Sequence, residues 1–290
     1  GGGVSSKIEG LSDADKRERL ISEIKTFMDH PALLAWYISD EPNGFKIPPR
    51  QLEEIYRTVR ETDPWHPVSV VFMAPFIASK EYADALDIVM ADPYPVPSGS
   101  VSQAGNVVKQ LAGEFEGRKP VWLVPQAFGG GEWWEREPTI PEIRNMTYQA
   151  LVKGAGGIQY FVRHGPNSFP KSTAAWNECG KIAMEVAEMT PWLLSEEKTI
   201  PVRSSDANIQ VWSGSHDNKL IVIAVNKLNT PQNFKITISG KTEPKARVLF
   251  ENRIININSG NISDCISAYG TQVYLIDIRK PDEEMKPFRN

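Results

Sequence analysis

Cysteine is nearly absent, with only Cys179 and Cys265 among 290 residues. Far apart in sequence, the two fit no zinc-ligand spacing and no Cys-x-x-Cys redox pair. They read as two buried free thiols or, in a secreted chain, as one bridge. Long apolar runs are also missing. Nothing approaches the roughly 18 uninterrupted apolar residues of a membrane span. Positive charge is not in excess. The net charge is −4 and the pI near 5.7, and no Lys/Arg run offers the electrostatic footprint that nucleic acid requires. The four histidines, His30, His66, His164 and His216, form no His-x-His pair, which weakens a metal-dependent hydrolase. No Gly-x-Ser-x-Gly elbow supports a serine hydrolase, and no motif asks for a cofactor. The first residues, Gly1-Gly2-Gly3-Val4-Ser5-Ser6, do not read as a signal peptide. They suit a cloning scar, a processed end or a flexible loop.

What is present is ordinary for a soluble globular protein: 41% hydrophobic and 23% charged residues, enough for one large domain or two ordinary ones. Two glycosylation triplets, Asn145-Met146-Thr147 and Asn261-Ile262-Ser263, lean toward an extracellular or secretory location.

The stretch that organises the rest is His30-Pro31-Ala32-Leu33-Leu34-Ala35-Trp36-Tyr37-Ile38-Ser39-Asp40-Glu41-Pro42. Its apolar run has the length of a strand shielded on both faces, as in a parallel sheet covered by helices. It stops at two carboxylates. Before it, Ser12 caps a helix whose Leu20, Ile21, Ile24, Phe27 and Met28 recur at helical spacing. After it, helix and strand alternate. Strands are expected at 67–72, 87–91, 120–126 and 157–162, with helices carrying Leu52, Ile55, Tyr56 and Val59, then near 81–86, then carrying Val107, Val108, Leu111 and Phe115, then near 141–153 and 173–189. Five strands joined by short helical connections imply parallel pairing. Chemistry-bearing residues at every C-terminal strand end suit part of a (β/α)8 barrel. A doubly wound sheet is the alternative, but it usually carries a Gly-rich phosphate loop, and none follows the first strand.

Past Pro191-Trp192 the helical period vanishes. Short alternating runs take over at 209–212, 220–226, 234–238, 247–250, 253–257 and 272–278, punctuated by turn signals such as Asn258-Ser259-Gly260. This part reads as a small antiparallel β-sandwich. The expected layout is a barrel portion over 1–195, a sandwich over 196–280 and a tail over 281–290.

The strand ends carry Asp40 and Glu41, Met73, Asp92 and Tyr94, Gln126, and Arg163 with His164. The loop after Gln126 adds Glu132, Trp133, Trp134, Glu135 and Arg136. Carboxylates, an amide, a tyrosine and tryptophans without a metal cluster suit a sugar site. Aromatic faces stack on sugar rings, and paired carboxylates cleave glycosidic bonds. The same groups also occur as loop caps, surface packing and salt bridges.

The stretch ending Ser39-Asp40-Glu41-Pro42 resembles strand four of the large clan of (β/α)8 glycoside hydrolases, which ends in Asn-Glu-Pro with the Glu as acid/base. Val89-Met90-Ala91-Asp92-Pro93-Tyr94-Pro95-Val96 resembles strand six. Lys119–Gly130 resembles strand seven, Gly154–Gly165 strand eight, and a trailing β-sandwich is common in the clan. The resemblance spans about residues 30–280. It implies a glycoside hydrolase acting on an oligo- or polysaccharide, with Glu41 as general acid/base. Asp40, Asp92, Tyr94, Gln126, Trp133, Trp134, Arg163 and His164 would be substrate-binding. Two departures stand out. Asp40 replaces the clan's Asn, and Gln126 stands where the clan has its nucleophilic Glu. The second carboxylate is then Glu132 or Glu135 from the following loop, or Asp92 acting as base on water; otherwise the site only binds. Strands one to three have no counterpart here, which implies an N-terminal fragment or partner chain completing the barrel. A catalytically inactive carbohydrate-binding or structural protein is the alternative function.

Overall fold

A computed structural model of the chain describes residues 9–130, 134–161 and 173–278. Residues 9–126 and 153–161 form one unit; 127–130, 134–152 and 173–278 form a second. In the first, α1 (Asp13–Phe27) opens on a capping box. The Asp15 amide donates to Ser12 Oγ at 3.2 Å, and the Ser12 amide donates to Asp15 Oδ2 at 3.3 Å. The chain then enters β1 (Trp36–Asp40). Next is α2 (Pro49–Thr62), whose Pro49 occupies a position where no helical N–H is needed. After it come β2 (Val68–Phe72), a 3-10 segment (Phe76–Ala85) and β3 (Ile88–Ala91). They are followed by α3 (Gln103–Glu114), β4 (Val121–Leu123) and β5 (Gly157–Ile158).

The five strands pair in parallel, in sequence order. That order has no topological switch point, which a doubly wound sheet requires. β2 and β3 are buried along their whole length, as residues that are apolar at every position but Ser69 demand. β1 behaves otherwise. It ends the sheet among the described residues, and its exposed side chains include Tyr37 and, just before the strand, Leu34 at 69%. The expectation of shielding on both faces is therefore corrected: an end strand lacks the neighbour that would cover it. Its start is held by Trp36, whose Nε1 donates to Asp63 at 2.8 Å. Asp63 also accepts from the amides of Trp65 and His66 and pairs with the His66 ring. Burial pushes the Asp63 carboxyl up, but these bonds outweigh it and hold the group below its ordinary range. At the other end of the sheet, a Cβ on Gly157 would lie 2.5 Å from the Trp122 indole, so only glycine lets that ring lie across β5.

The second unit combines α4 (Ile140–Val152) and α5 (Thr173–Leu193) with eight strands. These are β6 (Val202–Ser204), β7 (Ile209–His216), β8 (Lys219–Asn226) and β9 (Gln232–Ile238). They continue as β10 (Thr242–Leu249), β11 (Arg253–Asn256), β12 (Asn261–Ile266) and β13 (Thr271–Ile278). Two antiparallel sheets result, ordered β11-β10-β13-β8-β7 and β12-β9-β6. Leu220, Val222, Tyr274 and Ile276 from the first share one apolar core with Phe234, Ile236 and Ile262 from the second. Full burial of each such aliphatic side chain contributes about 1.5–3 kcal/mol.

Compactness does not divide the chain near residue 195. α4 and α5 both belong with the strands that follow. The reason is polar as well as apolar: Asn145 of α4, wholly buried, donates to the main-chain carbonyls of Asn226 and Tyr269 at 2.8 and 2.9 Å. The same bonds make Asn145 inaccessible, so that triplet offers no glycan acceptor in the folded chain. Both thiols are free, Cys179 buried and Cys265 exposed; the expectation of two buried thiols is corrected at Cys265. No helix among the described residues is long and apolar enough to cross a membrane. The tail over 281–290 lies outside the described residues.

Candidate carboxylate site

The site begins with an irregularity in β1. Its pairing with β2 shifts between Tyr37 and Ser39, a bulge that re-aims the side chains beyond it. Glu41 follows the last strand residue at φ 46°, a left-handed conformation that costs a residue with a Cβ roughly 1–2 kcal/mol. The surroundings hold it there. The Glu41 amide donates to the Val71 carbonyl at 2.9 Å, and the Glu41 carbonyl accepts from Gly44 and Phe45 at 2.9 and 3.1 Å. Gly44 packs against Met73 so closely that a Cβ would lie 2.2 Å from its sulfur. Asn43 Nδ2 donates to the Met73 carbonyl at 2.7 Å, tying this loop to the end of β2. Backbone strain held by surrounding structure recurs at functional sites.

Asp92 follows β3 directly and Tyr94 lies two residues on. Asp92 is buried, and both Glu41 and Tyr94 act on it through hydrogen bonds. Burial first, then the neighbouring Glu41, pushes the Asp92 carboxyl up to about 9. Tyr37 donates its hydroxyl to Asp40. Burial, then that bond and the fields of Asp40, Asp92 and Glu41, drive the Tyr37 phenol far above its usual range. Tyr94 is raised likewise, by burial and then by Asp92, Glu41 and Asp40. Five titratable groups thus form one electrostatic cluster, in which Asp92 keeps its proton at neutral pH. Among the described residues, no group of His, Cys, Asp and Glu is arranged to hold a metal ion.

Gln126 and Phe161 close the neighbourhood. Gln126 has no exposed surface. Its Oε1 accepts from the Val96 amide and its Nε2 donates to the Val96 carbonyl, each at 2.9 Å. The amide therefore clamps the loop that carries Tyr94. Both ends of the amide thus bond the main chain of Val96. Phe161 stacks on Tyr94 with ring centroids 5.9 Å apart and remains 44% exposed. Phe161 and Tyr37 were not singled out from the sequence. Both lie inside stretches picked out as strands, and only pairing register shows which side chains gather at one end.

The loop after Gln126 belongs to the second unit. There Trp134 meets Phe128 edge-on at 5.1 Å, Glu135 is exposed, and Arg136 pairs with Glu142 at 2.7 and 2.9 Å. Glu132, Trp133, Arg163 and His164 lie outside the described residues. Of the expected site residues, the structure brings together Asp40, Glu41, Asp92 and Tyr94.

No family model matches the chain, and no curated protein does. Solved structures do. An Anoxybacillus alpha-amylase matches 93% of this chain and 64% of its own at TM-score 0.63 and 10% identity. A GH30 endoxylanase from Clostridium papyrosolvens matches 91% and 70% at TM-score 0.56 and 15% identity. An arabinofuranosidase matches 93% and 74% at TM-score 0.58 and 12% identity. The chain spans just under two-thirds of the amylase's length. At these identities the likeness is one of fold alone, and it covers part of each of those structures.

Proposed function

We propose that this chain is a glycan-acting hydrolase with Glu41 as general acid/base. The five parallel strands are read as strands four to eight of a (β/α)8 barrel, and the two antiparallel sheets as the sandwich that trails it. The observation that carries the proposal is the gathering of Asp40, Glu41, Asp92 and Tyr94 beyond the C-terminal ends of β1 and β3. Barrel enzymes do their chemistry at that end. Asp92, a buried carboxyl pushed up to about 9, sets a proton-retaining group beside Glu41.

Glu41 and Asp92 are in hydrogen-bonding contact, nearer than the roughly 5–5.5 Å of retaining or 6.5–9.5 Å of inverting pairs. They serve as one acidic unit, not as two groups flanking a sugar. Glu132 and Glu135 are the candidates for the second carboxylate. Trp133, Trp134, Arg163 and His164 are the candidates for further sugar contacts. A non-catalytic carbohydrate-binding protein is the second reading, favoured by Gln126, whose amide stands at the clan's nucleophile position and is committed to the main chain. The open side of β1 supports further strands, from an N-terminal fragment or partner chain, completing the barrel. An extracellular or secretory location accords with a polymeric glycan substrate.

The test is Glu41→Gln assayed on a broad glycan panel. Turnover falls by roughly 10²–10⁴-fold while binding persists, as for loss of a positioned acid. Undiminished turnover removes Glu41 from the mechanism. Binding without turnover in the unsubstituted chain establishes the second reading.

A further inference from the structure

We propose that Asp92 and Glu41 share a single proton and that Asp92 is the positioning residue that holds this proton for Glu41. The pairing stands on geometry; its catalytic meaning rests on the reading of Glu41 as the acid. Consecutive residues of β2 fix the two main chains. The Glu41 amide donates to the Val71 carbonyl at 2.9 Å, and the Asp92 amide to the Phe72 carbonyl at 3.3 Å. Successive carbonyls of a strand point to opposite sides, so β2 carries one carboxyl residue on each flank at the same height. The side chains then meet, in hydrogen-bonding contact, over the end of β2.

Asp92 is 7% exposed, and its Oδ1 is buried without a hydrogen-bond partner. An ionised carboxylate accepts at about four sites, and a bare buried anionic oxygen is far costlier than a bare neutral one. The described ionisable groups that act on the pair bring it no positive charge. From β1 and its loop these are Tyr37, Asp40 and Glu41; from the loop after β3, Tyr94. The ends of β2 and β4 present Met73 and Gln126, which do not ionise. Arg163 and His164 lie outside the described residues. Two carboxyls in contact, one of them buried, do not readily ionise together, and the upward push on Asp92 agrees.

In the reaction, the shared proton passes through Glu41 to the glycosidic oxygen as the bond from that oxygen to the anomeric carbon breaks, and Asp92 is left ionised beside Glu41. A water oxygen bonds to the anomeric carbon, and the proton that water loses returns to the pair. No other reactant is needed.

The experiment follows the carboxyl C=O stretch of the full chain by infrared difference spectroscopy from pH 5 to 11. It compares the unsubstituted protein with Asp92→Asn and Glu41→Gln. A protonated carboxyl band is expected at pH 7, lost toward pH 9 and absent from Asp92→Asn. With any glycan turned over, Asp92→Asn lowers kcat roughly 10²-fold, as for loss of a proton donor, and leaves KM within about twofold, because the amide keeps the bridging hydrogen bond. No protonated carboxyl at neutral pH, or a band that survives in Asp92→Asn, overturns the shared proton. Titration as expected without turnover of any glycan instead overturns the hydrolase reading and leaves the pair standing. Turnover with an unchanged kcat in Asp92→Asn overturns the positioning role.

Discussion

Glu41 concentrates the residue-scale questions, because its backbone is strained and its carboxyl crowds a second acid. Asp92 binds its proton more tightly folded than unfolded. The native state therefore carries an extra proton between the unfolded value near 4 and the folded value of about 9. Stability from this group is whole below that window and falls as pH rises through it. Glu41→Gln removes the second cause of the shift. The Asp92 ionisation should move down, and thermal unfolding midpoints of wild type and variant should diverge in the variant's favour between pH 7 and 9. Parallel melting curves across that range would remove the coupling. Asn145 gives a second residue-scale expectation. Expressed through a secretory pathway, its peptide should be unglycosylated by mass spectrometry, because both amide protons are bonded within the core.

At the scale of elements, α4 and α5 are joined by a buried charge cluster. Arg144 Nε donates to Glu178 at 2.8 Å and Nη1 to Glu185 at 2.6 Å; Tyr148 donates to Glu185 at 2.5 Å. Glu178 and Glu185 are largely shielded from water. Arg144→Ala strands both carboxylates, which should cost about 3–5 kcal/mol in urea unfolding; a loss under about 1 kcal/mol would mean that water repairs the site. In the parallel sheet, Gly157→Ala forces a methyl into the Trp122 indole. A loss of about 1–3 kcal/mol is expected from such overpacking, read as a lower urea midpoint with altered indole fluorescence.

For the whole molecule, the open side of β1 carries the prediction. If further strands complete the barrel, native material should contain a co-purifying segment of roughly 100 residues or more. Adding that segment should protect the β1 amides from hydrogen exchange. A stable monomer of this chain alone, with β1 already protected, would remove the need for a partner.

Much of this was legible in residues alone. Apolar runs located β1 to β4, because burial on a parallel sheet leaves that pattern whatever surrounds it, and the acids that end the runs of β1 and β3 marked the group there. The Ser12 cap and the switch from helical to alternating texture were equally plain. β6 and β12 were not, since Val202-Arg203-Ser204 and the half-exposed Asn261–Ile266 carry too few buried residues to show a period. Sequence determined which carboxylates exist and that Glu41 ends a strand. Only tertiary structure decided that Asp92, 51 residues further on, would be its neighbour, because strand register and the β1 bulge set which side chains meet. It also decided that Gln126 would serve the backbone of Val96. An amide's role depends on whether it meets water or main chain, and that is fixed only when the sheet closes over it.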